Sequence, residues 1–320
     1  MHRRLRHLAA ALLLGGIAAL AAAWGAEPEP AAGPRYGDVT WSELAYSAHK
    51  FFLSASTTIR VERVPAATAT TQMATAPRGE PVPVPAGGAA AITVDTALPF
   101  GRDESVTLLF DPATGAALGG RKTIVGRGAY NKLLRYTEGG LFTVRTAPAN
   151  NREAASPPDA WTQRKAYLVQ PAATPPPGVP VADSYALIYL VSAAHLDRQG
   201  GASRIFMLAD DRFVELSFVA GGLTYHRVDF EERWPDGRRH REGKVLVREV
   251  RATARALGGE DNRGADVDLG FLGMRGSLTV FLEVGTDLPV ALAGRVEHIG
   301  ELTVRLDRAL LTAPPPVPSP

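Results

Sequence analysis

Apolar and polar residues alternate most regularly near the end of the chain. Leu278, Val280 and Leu282 are each separated by one more polar or aromatic residue, which predicts a β-strand with one face on a core. The same alternation returns at 290–296 and at 302–306, and turn residues separate the three segments. Together they predict an antiparallel meander that buries one face.

A second group of strands is predicted upstream, where runs rich in β-branched and aromatic residues are divided by turn sequences. The runs lie at 105–110, 141–146, 203–208, 212–218, 223–230 and 243–251. Ala220-Gly221-Gly222 and Trp234-Pro235-Asp236-Gly237 are two of the predicted turns. The chain therefore contains about ten predicted strands, and a sheet of that width has to curl.

Two helices are also predicted. Thr40 and Glu43 have the spacing of a capping box, which predicts a helix through His49. A second helix is predicted at 183–196, where Tyr185 begins a run that is apolar almost all round. At this length such a helix is typical of one buried against a sheet, so the predicted fold class is mainly β, a large antiparallel sheet with one or two packed helices.

Proline- and alanine-rich stretches divide the strand pattern. Those at 65–91 and 171–180 predict long loops inside a single β-rich domain at 37–312. Those at 27–36 and 313–320 predict an extended linker and an extended tail, because proline lacks the backbone donor that helices and central strands need.

The first 26 residues have the layout of a secretory signal peptide. Arg3, Arg4 and Arg6 precede an apolar stretch at 8–23, and small residues end at Ala26. The apolar stretch is shorter than the ~20 residues that cross a bilayer, so cleavage is expected, with an uncleaved membrane anchor as the alternative. The predicted location is the periplasm of a bacterium or the medium outside the cell.

Charge and cysteine content narrow the classes of partner and chemistry. The chain has 35 Lys and Arg against 33 Asp and Glu, and three of the basic residues lie in the predicted signal, which leaves 32 against 33 and a net charge of −1. Without excess positive charge to neutralise phosphates, nucleic acid is not an expected partner. The chain has no cysteine, which excludes disulfides, thiolate metal sites, a cysteine nucleophile and a lipidated cysteine.

The C-terminal strands resemble a known family at three short segments: GSLTVFL at 276–282, DLPV at 287–290 and IGEL at 299–302. With the predicted helix and hairpins, they are similar to a bacterial envelope family known as domain of unknown function 3108. The resemblance covers 180–310 well and 40–150 loosely, and the long insert at 65–91 departs from it. It implies a large curved sheet with a helix against it, in the style of periplasmic lipid- or lipoprotein-carrier half-barrels, and it implies no activity.

One short sequence could belong to a nucleophilic enzyme. Ser47 and Lys50 have the Ser-x-x-Lys spacing, in which a lysine one helical turn later takes the proton of a nucleophilic serine. The Lys-Thr-Gly strand that accompanies this spacing is missing, because Lys122-Thr123 is followed by Ile124. A solvated helix face is therefore the favoured interpretation, and no catalytic residue is predicted.

Two sets of residues could hold a metal ion. Oxygen ligands in a Gly-rich segment could bind calcium, but they do not follow EF-hand spacing and a polar loop is favoured; they are Asp261, Asn262, Asp266 and Asp268. The histidines are dispersed without paired spacing, so a metal site would need distant residues to converge; they are His49, His195, His226, His240 and His298. No metal and no cofactor are predicted.

Aromatic and charged clusters are the candidates for binding. Trp41, Tyr46, Phe51 and Phe52 could line a ligand groove, although such a cluster is more often part of the core. The basic run Arg238-Arg239-His240-Arg241 could contact anionic lipid or lipopolysaccharide head groups, or it could only keep a sheet edge soluble. The pairs Asp210-Asp211 and Glu231-Glu232 are predicted at turns and are assigned no chemistry.

Three functional hypotheses follow. The first is a non-enzymatic envelope protein whose curved sheet binds an apolar ligand, such as an acyl chain, or an envelope partner. The second is an envelope hydrolase whose site is assembled from separate loops. The third is a structural or assembly factor that uses sheet edges or proline-rich ends as contacts. An open apolar cavity on the concave face would favour carriage, and a face filled by the protein's own side chains would favour a scaffold.

Overall fold

The computed structural model describes residues 36–50, 53–99, 101–196, 201–209, 212–258, 267, 269, 273–297 and 299–312. The predicted signal peptide, nearly all of the linker, the proline-rich tail and the acidic segment at 261–266 lie outside the described residues. Among the helices that the structure describes, none has the length and apolar character needed to cross a membrane.

The described residues are mostly strand, which confirms the mainly β prediction. The strands are β1 Trp41–Lys50, β2 Leu53–Val64, β3 Ala89–Leu98, β4 Arg102–Phe110, β5 Ala117–Val125, β6 Tyr130–Thr137, β7 Gly140–Ala147, β8 Gln163–Val169, β9 Val181–Ala182, β10 Ala202–Ala209, β11 Arg212–Trp234, β12 Gly237–Ala256, β13 Met274–Glu283, β14 Pro289–Val296 and β15 Gly300–Leu311. The α-helices are α1 Ala66–Gln72, α2 Asn151–Ala154 and α3 Leu187–Ala193, with 3-10 turns at Pro158–Ala160 and Ser184–Ala186.

All fifteen strands belong to one sheet, in the order β8-β7-β6-β5-β4-β3-β2-β1-β15-β14-β13-β12-β11-β10-β9. Each half of the sheet follows chain order and is antiparallel throughout except where β9 pairs with β10, and the antiparallel pairing of β1 with β15 joins the halves. Two parallel pairings, β9 with β10 and β11 with β15, make the sheet mixed.

The two edge strands show how strongly the sheet curls. β8 and β9 stand at opposite ends of the strand order, yet only residues 170–180 connect them in the chain. A connection of that length spans at most ~3.5 Å per residue, so the edges have to come close together. This predicted loop also contacts the turn that follows β12, since a Cβ at Gly258 would lie 2.6 Å from Ala173 Cβ.

The predicted helix at 183–196 is confirmed, as a 3-10 turn that continues into α3. Every residue of α3 is buried, and the Asp183 carboxylate caps the turn by accepting a hydrogen bond from Tyr185 N at 2.9 Å. The Tyr189 ring meets the Phe110 ring edge to face, with centroids 4.9 Å apart. The helix therefore fills the inside of the curled sheet, where it joins one apolar cluster with side chains from both halves.

The helix predicted from Thr40 through His49 is wrong, because the segment forms β1. Leu44, Tyr46 and Ala48 are buried in alternation, which is the period of a strand. The residues of the expected capping box bind elsewhere: Thr40 Oγ1 donates to the Thr286 carbonyl at 3.0 Å, and Glu43 accepts from arginines of β2 and β15. Pairing with two neighbouring strands outweighs the local helix signal.

The turn predicted at Ala220-Gly221-Gly222 is also wrong. β11 runs through it as one strand from Arg212 to Trp234, and β12 pairs with it on both sides of an irregularity between Ala220 and Leu223. The two glycines form a bulge that redirects the strand without ending it. The strands predicted at 212–218 and 223–230 are thus a single strand.

The bulge produces a long hairpin that leaves the main sheet. We call residues 223–248 the outer hairpin. Near its tip, Glu231 to Arg233 pair in parallel with Arg308 to Leu310 of β15. The His226 ring stacks on the Phe281 ring of β13 with centroids 4.9 Å apart. Phe281 lies on the face opposite Val280 and Leu282, so the outer hairpin covers the side of β13 that faces away from the core.

The insert at 65–91 is more ordered than the predicted loop. It contains α1, and its last residues open β3. It covers a small apolar cluster on the outer face of the sheet, made by Val64, Ala69, Ala89, Ala91, Leu109 and Leu118. Beneath it, the buried Arg135 donates to the carbonyls of Leu118 at 2.8 Å and Val82 at 2.9 Å. The proline-rich segment therefore packs against the sheet and covers this apolar cluster.

Candidate functional site

Five side chains meet where the tip of the outer hairpin reaches the turn between β13 and β14. We call Glu232, Arg239, Arg241, Glu283 and Thr286 the charged junction. Arg241 Nη1 lies 2.7 Å from a Glu232 oxygen and 3.0 Å from a Glu283 oxygen. Arg239 Nη2 lies 2.6 Å from Glu232, and Thr286 Oγ1 donates to Glu283 at 2.9 Å. Two arginines thus match two carboxylates.

The two carboxylates of the charged junction are buried, whereas Arg241 is partly exposed and Arg239 is about half exposed. The side chains of Glu232 and Glu283 are 1% and 8% exposed. The Arg239 guanidinium lies 5.1 Å from the centre of the Trp234 ring. A cavity of about 460 Å³ opens beside the arginines. Since both buried acids are already paired, the arrangement is suited to holding the hairpin tip in place.

The structure corrects two predictions made for this hairpin. Glu231 and Glu232 lie within β11 instead of at a turn, and Glu232 is buried. The basic run at 238–241 is also largely matched by acids, since Arg239 and Arg241 pair with Glu232 and His240 lies 3.1 Å from Asp229. The excess positive charge that an anionic lipid would need is therefore not concentrated at this tip.

A second polar pair joins the end of α3 to the turn between β13 and β14. His195 Nδ1 lies 2.6 Å from Asp287 Oδ2. His195 and Asp287 have φ values of 43° and 52°, and no other non-glycine residue among those described has a positive φ. Each such conformation costs about 1 kcal/mol or more, so the surrounding contacts have to hold it.

The position of His195 limits what this pair can do. A Cβ at Gly37 would lie 2.5 Å from His195 Nε2, so only glycine fits against the ring. Gly37 N also donates to the Ala193 carbonyl at 2.8 Å. An acid that orients a histidine resembles part of a catalytic triad, but here the second ring nitrogen packs on backbone where a triad would place its nucleophile. The pair therefore holds the end of helix α3 against the turn between β13 and β14.

A third polar group lies between the start of the helix and strands β4 to β6. The Tyr136 hydroxyl donates to the Asp183 carboxylate at 2.5 Å, and both residues are buried. Beside them, Lys122 Nζ lies 3.0 Å from a Glu104 oxygen, and the Tyr185 hydroxyl bonds to both side chains. Burial raises the pKa of Asp183 and of Tyr136, because a low dielectric disfavours either charged form.

We expect Asp183→Asn to remove a pH dependence of stability. The pKa of Asp183 is higher in the folded than in the unfolded chain. Asp183 therefore stabilises the fold fully at a pH below its unfolded pKa of ~3.9, and this stabilisation is lost as the pH rises through the folded pKa. Asparagine keeps the Oδ1 acceptor for Tyr185 N, and its NH2 group can donate to the Tyr136 hydroxyl, so the site stays hydrogen-bonded without this loss. Urea unfolding at a series of pH values should show wild-type stability falling relative to the variant as pH rises above ~4.

The control for this prediction is Asp103→Asn, since Asp103 is an exposed carboxylate on β4. That variant should follow the wild-type pH profile. Parallel profiles for Asp183→Asn and the wild type would contradict the assignment of a raised pKa to Asp183.

Three open cavities on the described surface are lined largely by polar residue types. The largest of the three measures about 840 Å³ and lies beside the outer hairpin, between β11 and strands β14, β15 and β1. Its titratable lining residues are His49, Arg227, Asp229, Glu301, Arg305 and Asp307. The smallest, about 380 Å³, lies on the outer face of β2 to β5. None of these three cavities offers the apolar lining that an acyl chain requires.

The residues predicted to line a ligand groove are placed as follows. Trp41 and Tyr46 are each 1% exposed and lie in the core, and Tyr46 donates to the Pro289 carbonyl at 2.7 Å. Phe51 and Phe52 lie outside the described residues. For the first two residues the structure fits the core interpretation that the sequence left open.

The Ser-x-x-Lys spacing has lost its helical context, because Ser47 lies in β1. Its hydroxyl donates to Asp307 at 3.0 Å, and the next histidine, His49, lies 3.0 Å from Ser54 Oγ. The described part of the chain contains no group of three histidine, aspartate or glutamate side chains that could hold a metal ion. His298 and the predicted calcium ligands Asp261, Asn262, Asp266 and Asp268 are not among the described residues.

Comparison with known proteins gives a likeness to solved structures alone. No family model matches the chain. No curated protein matches it. The solved structures include a similar chain, the crystal structure of a beta-barrel-like protein of domain of unknown function 1849 from Brucella abortus. The TM-score is 0.46 at 8% sequence identity, and the match covers 88% of this chain and 100% of that chain.

Proposed function

We propose that this protein is an exported, non-enzymatic binding protein of the bacterial envelope that engages its partner with its outer surface instead of with an interior cavity. One observation carries the proposal: the inside of the curled sheet is filled. Helix α3 is buried along its whole length, and it shares one apolar cluster with strands from both halves of the sheet. Among the described residues, an interior packed in this way favours a partner that binds outside the sheet over a carried acyl chain.

The envelope location is supported by sequence. The basic, apolar and small-residue segments of residues 1–26 follow the order of an export signal, and the chain has no cysteine to anchor a lipid. The similarity of the C-terminal segments to the domain of unknown function 3108 family of envelope proteins supports the same location.

The hydrolase alternative has less support from the polar groups that the structure describes. Asp183 is buried among tyrosines, with its carboxylate used as a helix cap. His195 is held by Asp287, and its second ring nitrogen packs on Gly37. Neither group faces a cavity where a substrate and a nucleophile could meet, as acid–base catalysis requires.

The test expresses the full-length chain in a Gram-negative host, purifies it from the periplasmic fraction, and examines it by native mass spectrometry and organic extraction. We expect the protein in that fraction, without a stoichiometric acyl chain and without uptake of a fluorescent fatty acid into its interior. A lipid carrier of similar size, purified in parallel, shows that the method detects cargo. Retention in the cytoplasm would contradict export, and one acyl chain per protein would contradict the filled interior.

A further inference from the structure

An exposed apolar row crosses three strands where the outer hairpin leaves the main sheet. We call Leu223, Tyr225, Leu246 and Val284 the mouth patch. Tyr225 lies directly opposite Leu246 in the pairing of β11 with β12, and Val284 N donates to the Leu246 carbonyl at 3.0 Å. Leu223, Tyr225 and Val284 are 52%, 70% and 42% exposed. Single exposed apolar residues are ordinary, whereas a contiguous row marks a contact surface.

The mouth patch continues the face that forms the core. Val250, Val280 and Leu282 lie on the same face of the same strands and are fully or almost fully buried. The apolar surface of the core thus extends past the point where helix α3 ends, and there it becomes exposed. Because apolar surface of this kind is costly to leave in water, a partner that covers it would gain stability.

Cations flank the mouth patch on that face. Arg248 lies opposite Leu223, and Lys244 lies opposite Arg227, in the same alternating register as Tyr225 and Leu246. The three residue pairs nearest the main sheet contribute three apolar and three cationic side chains on this face, and the next pair towards the tip is acidic, Asp229 opposite Glu242. Arg227 pairs with Glu242 at 3.2 Å, but both side chains are largely exposed and the pair is easily exchanged.

Backbone hydrogen bonds connect the region before the mouth patch to the end of helix α3. Gly37 N donates to Ala193 at the end of α3, Gly201 N donates to Leu196, and Ala220 N, at the bulge before Leu223, donates to Gly201. The mouth patch therefore follows directly on the part of the sheet that the end of α3 contacts.

We propose that the mouth patch docks on the surface of an anionic phospholipid bilayer. Leucine and tyrosine are suited to the boundary between acyl chains and head groups, and arginine and lysine bind the phosphates around them. A second copy of this chain is a poor occupant, because a two-fold contact would bring the cations of both copies together. The inference rests on the proposed function, because it requires that the protein binds its partner with its outer surface.

The test is co-sedimentation of the full-length protein with vesicles of equal parts phosphatidylglycerol and phosphatidylcholine, compared with phosphatidylcholine alone. We expect Leu223→Ser with Tyr225→Ser to lower the partition coefficient about tenfold or more, because both apolar anchors are lost. Arg227→Gln with Lys244→Gln should abolish the preference for the anionic vesicles. Val125→Ser is the matched control, since Val125 is 37% exposed on β5, far along the strand order, and should bind like the wild type.

Circular dichroism and the urea midpoint of each variant establish that it remains folded. The proposal is overturned if the wild type does not prefer anionic vesicles, if the double serine variant binds equally well, or if Val125→Ser loses as much binding. It is also overturned if the patch variants instead abolish self-association or the binding of an acidic peptide. These outcomes do not decide the proposed function. The proposed function is contradicted by a stoichiometric acyl chain in the interior, independently of the result with vesicles.

Discussion

Arg241→Ala is expected to lower the free energy of unfolding by about 3–5 kcal/mol. The Arg241 guanidinium contacts both Glu232 and Glu283, and their side chains are almost completely buried. Removal of the shared cation leaves Glu283 with the weaker hydrogen bond from Thr286 and leaves Glu232 with Arg239. An incompletely matched buried carboxylate costs much more than the pair contributes, so the effect is large. Urea unfolding of the wild type and the variant measures it.

Two controls separate burial of charge from loss of packing. Arg227→Ala removes an ion pair whose partners are 77% and 57% exposed, so stability should change by less than ~0.5 kcal/mol. Arg241→Met combined with Glu232→Leu and Glu283→Leu removes both buried carboxylates together with the arginine that joins them, and we expect it to recover much of the loss. A loss below ~1 kcal/mol for Arg241→Ala would show that the charged junction is open to water.

The charged junction also shows what the sequence could and could not predict. Val228, Phe230 and Trp234 alternate along β11, and Glu232 occupies the same register. The predicted strand ended at 230 and placed Glu232 at a turn; only its continuation to Trp234 puts Glu232 on the face of Val228 and Phe230, because side chains two apart share a face of a strand. Its partners were not predictable, since Glu283 lies beyond two further strand pairings and the basic run at 238–241 has the composition of an exposed turn.

The fold was predictable where the local pattern and the pairing agree. The alternation at Leu278, Val280 and Leu282 and the apolar run of α3 gave the correct elements, because each buries its apolar face in the way its period requires. At Thr40 to His49 the capping signal competed with strand pairing, and pairing prevailed. At Gly221 and Gly222 a turn sequence formed a bulge, because β12 continues to pair on both sides.

Phe110→Ala is expected to destabilise the protein by about 3–5 kcal/mol. The Phe110 ring is completely buried and meets the Tyr189 ring of α3 edge to face, so its removal deletes aromatic contact and leaves a cavity beside the helix. The cavity remains because strands paired on both sides hold β4 in place and limit collapse. Thermal and urea unfolding of the full-length variant measure the loss.

The same variant provides a test of the filled interior. Tyr225→Ala is the matched control, because it removes an aromatic ring that is 70% exposed and should change stability by less than ~0.5 kcal/mol. A small apolar ligand such as benzene should raise the unfolding temperature of Phe110→Ala but not that of the wild type, since only the variant has an apolar cavity to fill. If benzene stabilises both proteins equally, or if Phe110→Ala lowers the free energy of unfolding by less than ~1 kcal/mol, the space around α3 is already open. Carriage of an apolar ligand in the interior would then become the better hypothesis.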